Sequence, residues 1–182
     1  MDVIVEYIVK RKNTGKDLIL QILILIASVT LALVLLAAGF LILPSLMPIL
    51  TLLAMGAVYG GYLLFTQYNV EYEYIFVNGE MDIDKIIARR KRKRLVTVNA
   101  RHFESFGIYK AAEHANVQYA NRIYACGTMN DPGNFYAVVN HARLGRTLLV
   151  FSPNDRILNA LKTYTPRQVG GNAAYGARPD VH

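Results

Sequence analysis

The chain has 182 residues, a formal net charge of +7, 53% apolar residues, 18% charged residues and one cysteine, Cys126. The apolar share excludes a disordered chain, and a single cysteine excludes an internal disulfide framework. The charged share lies below the ~25% of an average soluble protein, which points toward a membrane.

Residues 1–17 precede the first long apolar run. Val3, Ile4, Tyr7 and Ile8 would share one helical face, and Lys10, Arg11 and Lys12 follow. That suits an amphipathic segment lying in a membrane interface. Alternation of Val3, Val5, Tyr7 and Val9 suits a strand equally well, and periodicity does not arbitrate over so few residues. The expectation is an interfacial helix.

From Leu18 to Val70 there is no Asp, Glu, Lys, Arg or His. A membrane-spanning helix needs ~20 apolar residues for a hydrocarbon core of ~30 Å, so two fit. Pro44 and Pro48 divide the stretch. Residues 18–43 form the first expected span and 48–65 the second, and their short link makes an antiparallel hairpin. So long an uncharged run leaves a soluble helical pair no solvated face. It also exceeds the ~7–15-residue core of a signal peptide, so no cleavage is expected. Lys10, Arg11, Lys12 and Lys16 precede the spans, Lys85 and Arg89–Arg94 follow them, and the connecting turn is uncharged. The positive-inside rule then places both termini in the cytoplasm of a bacterial cell membrane. Ser28 with Ala32, and Gly56 with Gly60, put small residues at helical spacing. They serve packing within the hairpin, the favoured reading, or a dimerisation face. No ionisable residue lies within either span, which argues against a proton or ion pathway.

Residues 71–166 read as mainly β. Glu71 to Val77 alternates, with Tyr72, Tyr74 and Phe76 on one face, and Asn78-Gly79 follows as a strong hairpin signal. A returning strand over Met81–Arg89, a turn over Arg90–Lys93 and a third strand over Arg94–Val98 come next. A short helical turn near 99–105 leads to further strands at 106–110, 122–127, 135–141 and 146–151, with 111–121 as loop. Ser152-Pro153-Asn154-Asp155 reads as a helix start with Ser152 as N-cap. Ile157, Leu158, Leu161 and Tyr164 give that helix one apolar face, and Pro166 ends it. Residues 167–182 read as a flexible tail.

These elements describe a membrane α-helical hairpin plus a mainly-β, partly open barrel capped by one C-terminal α-helix. The chain resembles the bacterial pleckstrin-homology-like (PH-like) domains attached to membrane helices. The likeness rests on Glu73-Tyr74-Ile75-Phe76, Asn78-Gly79-Glu80, Asp84-Lys85-Ile86-Ile87, Lys93-Arg94 and the Leu149-Val150-Phe151-Ser152-Pro153-Asn154 junction. With its two spans the chain also resembles a family of small Gram-positive bacterial membrane proteins of this architecture, over roughly residues 1–166. The resemblance implies a fold and brings no catalytic residues. Many pleckstrin-homology domains bind phosphoinositides through basic residues around the first hairpin turn. Here that turn is Asn78-Gly79-Glu80 with Asp82 and Asp84 beyond, so that reading does not carry over.

Arg89, Arg90, Lys91, Arg92, Lys93 and Arg94 form the most unusual run in the chain. The link from Thr66 to Val70 spans at most ~17 Å. The first strand after it therefore leaves the membrane, and the returning strand brings the six cations back toward the headgroups. Each can contribute ~1 kcal/mol at an anionic leaflet. The alternative is a solvated turn that only enforces topology. Nucleic acid is disfavoured, because no aromatic platform or recognition helix accompanies the charge. Cys126 with His102 or His141 makes a weak nucleophile pair, because Cys126 sits in an apolar strand where free cysteine acts as a small hydrophobe. No spacing suggests a metal or other cofactor. The expected function is a non-enzymatic, membrane-anchored scaffold. Its cytoplasmic domain contacts anionic inner-leaflet lipid, a protein partner, or both. The alternative is an oligomeric transmembrane assembly, pore or secretion accessory subunit built on Gly56 and Gly60, with a regulatory cytoplasmic domain.

Overall fold

The structure, a computed structural model, describes residues 4–166 and Val169; the expected tail lies outside the described residues apart from Val169. The chain divides into two compact units. One holds Asn13–Val70, and the other joins the residues up to Lys12 with those from Glu71 onward.

The first unit is a helical hairpin. Helix α1 covers Gly15–Leu41 and helix α2 covers Met47–Thr66. A 3-10 turn at Pro44–Leu46 joins them. Mean hydropathy reaches 2.9 over the first span and 1.7 over the second, and both are long and apolar enough to cross a bilayer. Thr14 caps α1, with its backbone N–H donating to Asp17 Oδ2 at 3.0 Å. Pro48 sits in the first turn of α2, where a missing N–H costs nothing. Between the helices the buried residues are small: Ala32, Gly39, Ala54 and Gly61. The buried Gln21 ties the pair at one end. Its Nε2 donates to the Phe65 carbonyl at 3.3 Å, and its Oε1 accepts from Asn13 at 3.2 Å.

The second unit is mainly β. Strand β1 is Ile4–Lys10, β2 Val70–Val77, β3 Glu80–Ile87 and β4 Lys91–Asn99, and they form one sheet in the order β1-β2-β3-β4. Strand β5 is Phe103–Ile108, β6 Asn121–Ala125, β7 Phe135–His141 and β8 Gly145–Phe151. These form a second sheet in the order β5-β7-β8-β6. A single turn of helix, α3 (Ala111–His114), precedes β6, and helix α4 (Asp155–Tyr164) ends the unit. Tyr74, Phe76, Met81 and Ile83 from the first sheet are fully buried, as are Phe151, Leu148 and Val150 from the second and Ile157 and Leu161 from α4. The Tyr74 hydroxyl bridges the sheets, donating to the Ala125 carbonyl and accepting from the Ser152 N–H. Burial pushes its pKa well above the usual tyrosine range.

Several expectations need correction. The expected interfacial helix within residues 1–17 is instead strand β1, antiparallel to β2 from Ile4↔Val77 to Lys10↔Glu71. Val5, Tyr7 and Val9 lie opposite Phe76, Tyr74 and Tyr72, so the edge of β2 selects the strand period. The β3–β4 turn falls at Ala88–Arg90, earlier than expected, with Ala88 and Arg89 at φ +53° and +54°. The fourth strand therefore begins at Lys91. Strand β5 begins at Phe103, ahead of the expected 106. The α4 N-cap is Asn154, whose side chain accepts from Ile157 N–H at 2.9 Å, and not Ser152. Ser152 instead donates to Asn134 Oδ1 at 2.6 Å and accepts from Gly127 N–H at 3.3 Å, stitching β8 to the loop after β6.

Candidate functional site: the basic strand

The cation run lies mostly in β4, where successive side chains point to opposite faces. That alternation splits it. Arg92 and Arg94 share the face that carries Glu73, Asp82 and Asp84. Arg94 Nε lies 2.5 Å from Asp84 and its Nη1 2.6 Å from Asp82. Arg92 Nη2 lies 2.6 Å from Glu73 and its Nη1 3.9 Å from Asp84. Arg89 reaches Glu71 at 3.2 Å, and Thr97 Oγ1 donates to Asp82 at 2.5 Å. Under the two guanidinium groups the Asp84 side chain keeps only 3% of its exposure. The hydrogen bond Arg94 donates to Asp84, with Asp82 alongside, raises the Arg94 pKa above even its ordinary value.

Three arginines thus meet four carboxylates, and this ladder carries no excess positive charge. Asp82 and Asp84 would read from sequence as solvated strand carboxylates; they are the anchors of the ladder.

The remaining cations behave differently. Arg90, Lys91 and Lys93 are exposed and form no ion pair among the described residues. Lys93 lies directly opposite Lys85 across the β3–β4 ladder, and Lys91 lies opposite Ile87. Like charges facing one another across strands repel. Lys85 escaped the sequence reading as a site residue; the signal was its place at the end of the strand leading into the basic run. The excess positive charge is therefore Lys85, Arg90, Lys91 and Lys93. It sits at the β3–β4 turn, the end of the sheet where β1 finishes and β2 begins, and where the chain passes to the apolar helices.

The small residues of the hairpin also divide. A Cβ on Gly61 would stand 2.4 Å from Ser28 Cβ, and Ala32 is buried, so Ser28 and Ala32 pack inside the hairpin. Gly56 and Gly60 have open space where a Cβ would go. Gly61 and Gly39, which the small-residue spacing does not pick out, are the glycines in close contact with the opposite helix.

The considered nucleophile has the wrong surroundings. Cys126 is packed with Val138, Leu148 and Val150, and burial pushes its thiol pKa up, away from the reactive thiolate. Among the described residues no three His, Cys, Asp or Glu cluster as a metal site would require.

The profile of one family, described as bacterial PH-like domain (DUF6106), matches residues 1–171. No curated protein and no solved structure matches the chain. The matched stretch takes in β1, the hairpin and both sheets through α4, so the chain belongs to this family of bacterial PH-like domains.

Proposed function

We propose that this is a non-enzymatic, membrane-anchored PH-like module whose β3–β4 end rests against anionic lipid headgroups. The observation that carries the reading is the split of the basic run. Lys85, Arg90, Lys91 and Lys93 are left without carboxylates at the sheet end joined to the apolar hairpin. At ~1 kcal/mol per cation, four such residues supply enough attraction to bias the orientation of a tethered domain. Strand pairing supports the topology too. The residue-by-residue pairing of β1 with β2 joins the two flanks of the hairpin, which is the arrangement expected if two spans return the chain to the same side. The basic flanks favour the cytoplasmic side.

The test uses the full chain in nanodiscs of phosphatidylcholine with or without phosphatidylglycerol. Hydrogen exchange at residues 88–94 is expected to slow in the anionic discs and to recover at high salt. It should also recover when Lys85, Arg90, Lys91 and Lys93 are all changed to Gln. Equal exchange in both lipids overturns the reading.

A second reading, self-association through the hairpin, is favoured by the open space at Gly56 and Gly60. Gly56→Leu and Gly60→Leu would then change the stoichiometry measured in detergent.

A further inference from the structure

The first sheet ends on β4, so the second edge of that strand carries backbone N–H and C=O groups with no strand beside them. Among the described residues no backbone hydrogen bond from another element reaches Leu95–Val98 along that edge. Leu95 is the extra residue of a bulge, because Ile83 pairs with Val96 and Asp84 with Arg94. Beyond it the strand runs regularly to Asn99. Beside this stretch lies a cleft of about 480 Å³, walled on the other side by the β7–β8 turn. Val96, Leu144 and Leu95 supply apolar lining, and Thr97, His141 and Arg143 supply polar groups. None of the lining residues is acidic.

We propose that this cleft takes an extended acidic peptide segment, added as a strand along the free edge of β4. An open edge offers alternating donors and acceptors that match an extended backbone, while pockets beside it read alternate side chains. Charge then chooses the occupant. Arg143 is exposed with no ion pair among the described residues. His141 Nδ1 accepts from the Arg143 N–H at 3.1 Å, which leaves the Nε2 N–H as a donor. Lys91 and Lys93 extend the positive edge toward the β3–β4 turn. A second copy of β4 would bring cations against cations, and cationic edges discourage such pairing. A strand bearing glutamates meets the same edge with complementary charge. Lys91 and Lys93 serve both readings, but Arg143, His141 and Leu144 line the cleft and play no part in the lipid reading, so changes at Arg143 test the cleft alone.

The experiment uses the full chain in neutral detergent, without anionic lipid. The probe is a short fluorescein-labelled peptide alternating glutamate and valine, compared with a lysine–valine peptide. Polarisation should show the acidic peptide binding at least ~10-fold more tightly, a difference of ~1.4 kcal/mol. Arg143→Glu, on an exposed turn, should remove most of that preference while leaving the thermal midpoint unchanged. Hydrogen exchange at residues 95–99 should slow on binding. Equal affinity for both peptides overturns the proposal. So does binding that inorganic phosphate displaces without any slowing along β4, which would mark a simple anion site. Protection of β4 that grows with protein concentration in the absence of peptide also overturns it, since a second copy would then hold the edge.

Discussion

At the scale of single residues, Asp84 and His114 carry the clearest consequences. Asp84 is buried beneath two arginines: it accepts a hydrogen bond from Arg94 and forms a longer ion pair with Arg92. Asp84→Asn removes the charged acceptor of the Arg94 Nε hydrogen bond and the longer ion pair to Arg92, and a hydrogen bond to a charged group is worth about 1.5–3 kcal/mol. Chemical denaturation in detergent is expected to show a loss of that order. Lys93→Gln, which removes a cation facing Lys85, should stay within about 0.5 kcal/mol of the parent or gain slightly. His114 is buried, with the Tyr136 ring centroid 4.2 Å away and the Tyr109 ring stacked at 5.6 Å. Its Nδ1 meets the Tyr119 hydroxyl at 2.8 Å, and its Nε2 has no partner among the described residues. Burial, aided by Arg122 and partly opposed by Glu113, lowers its pKa below the ordinary histidine value of 6.5. The unfolded chain therefore binds the proton first. The stability held by neutral His114 is complete above pH ~6.5 and falls as pH drops from there through the lowered folded value. His114→Gln should be less stable than the parent at pH 7.5, with a gap that narrows at pH 5.5. A gap that widens on acidification would refute this burial argument.

At the scale of elements, the hairpin packs through close glycine contacts, the tightest of them at Gly61. Gly61 admits Ser28 so closely that any side chain there forces the helices apart. Gly61→Leu is expected to loosen the hairpin, read as faster proteolysis and a lower thermal midpoint in detergent. Gly56→Leu and Gly60→Leu, facing open space, should leave the hairpin's own stability unchanged. What could be read from the sequence follows the same logic of local signals. The spans declared themselves through an uncharged run, and the β2–β3 hairpin through Asn78-Gly79, both at positive φ. The β3–β4 turn carried no such mark. Ala88 and Arg89 adopt the left-handed conformation without a Gly, Asn or Asp to announce it, so local signals put the turn too late. A turn over 90–93 takes Lys91 to Lys93 out of the strand, and only a strand from Lys91 alternates them into paired arginines and cations without carboxylates. The parallel pairing of β6 with β8 also left no local trace, since it rests on contacts such as Ile123↔Leu149 between distant segments. Ser152 looked like a cap because its chemistry suits one. The structure spends it on Asn134 and gives the cap to Asn154.

At the scale of the whole molecule, the helical hairpin is an insertion between two neighbouring strands. Lys10 and Glu71 are direct partners in the sheet although Asn13–Val70 lies between them. A fragment starting after the hairpin lacks β1 and exposes the β2 edge, with Tyr72 and Tyr74 losing Val9 and Tyr7. A chain in which 13–70 is replaced by a short Asn-Gly-containing turn keeps the pair and should fold as a soluble monomer with a cooperative thermal transition. The fragment 71–166 should aggregate or unfold at a clearly lower temperature. Equal behaviour of the two would show β1 to be dispensable.

The same insertion sets a timetable for synthesis. Strand β1 leaves the ribosome about 60 residues before its partner. At about 5–20 residues per second it waits roughly 3–12 s while two apolar helices emerge and seek the bilayer. Through that interval Ile4, Ile8 and their alternating neighbours form an unpaired hydrophobic strand, the kind of segment that other chains can capture. Lys10, Arg11 and Lys12 at its end act as gatekeepers during the wait. The same charges that are expected to orient the spans would thus also protect the nascent chain until β2 arrives.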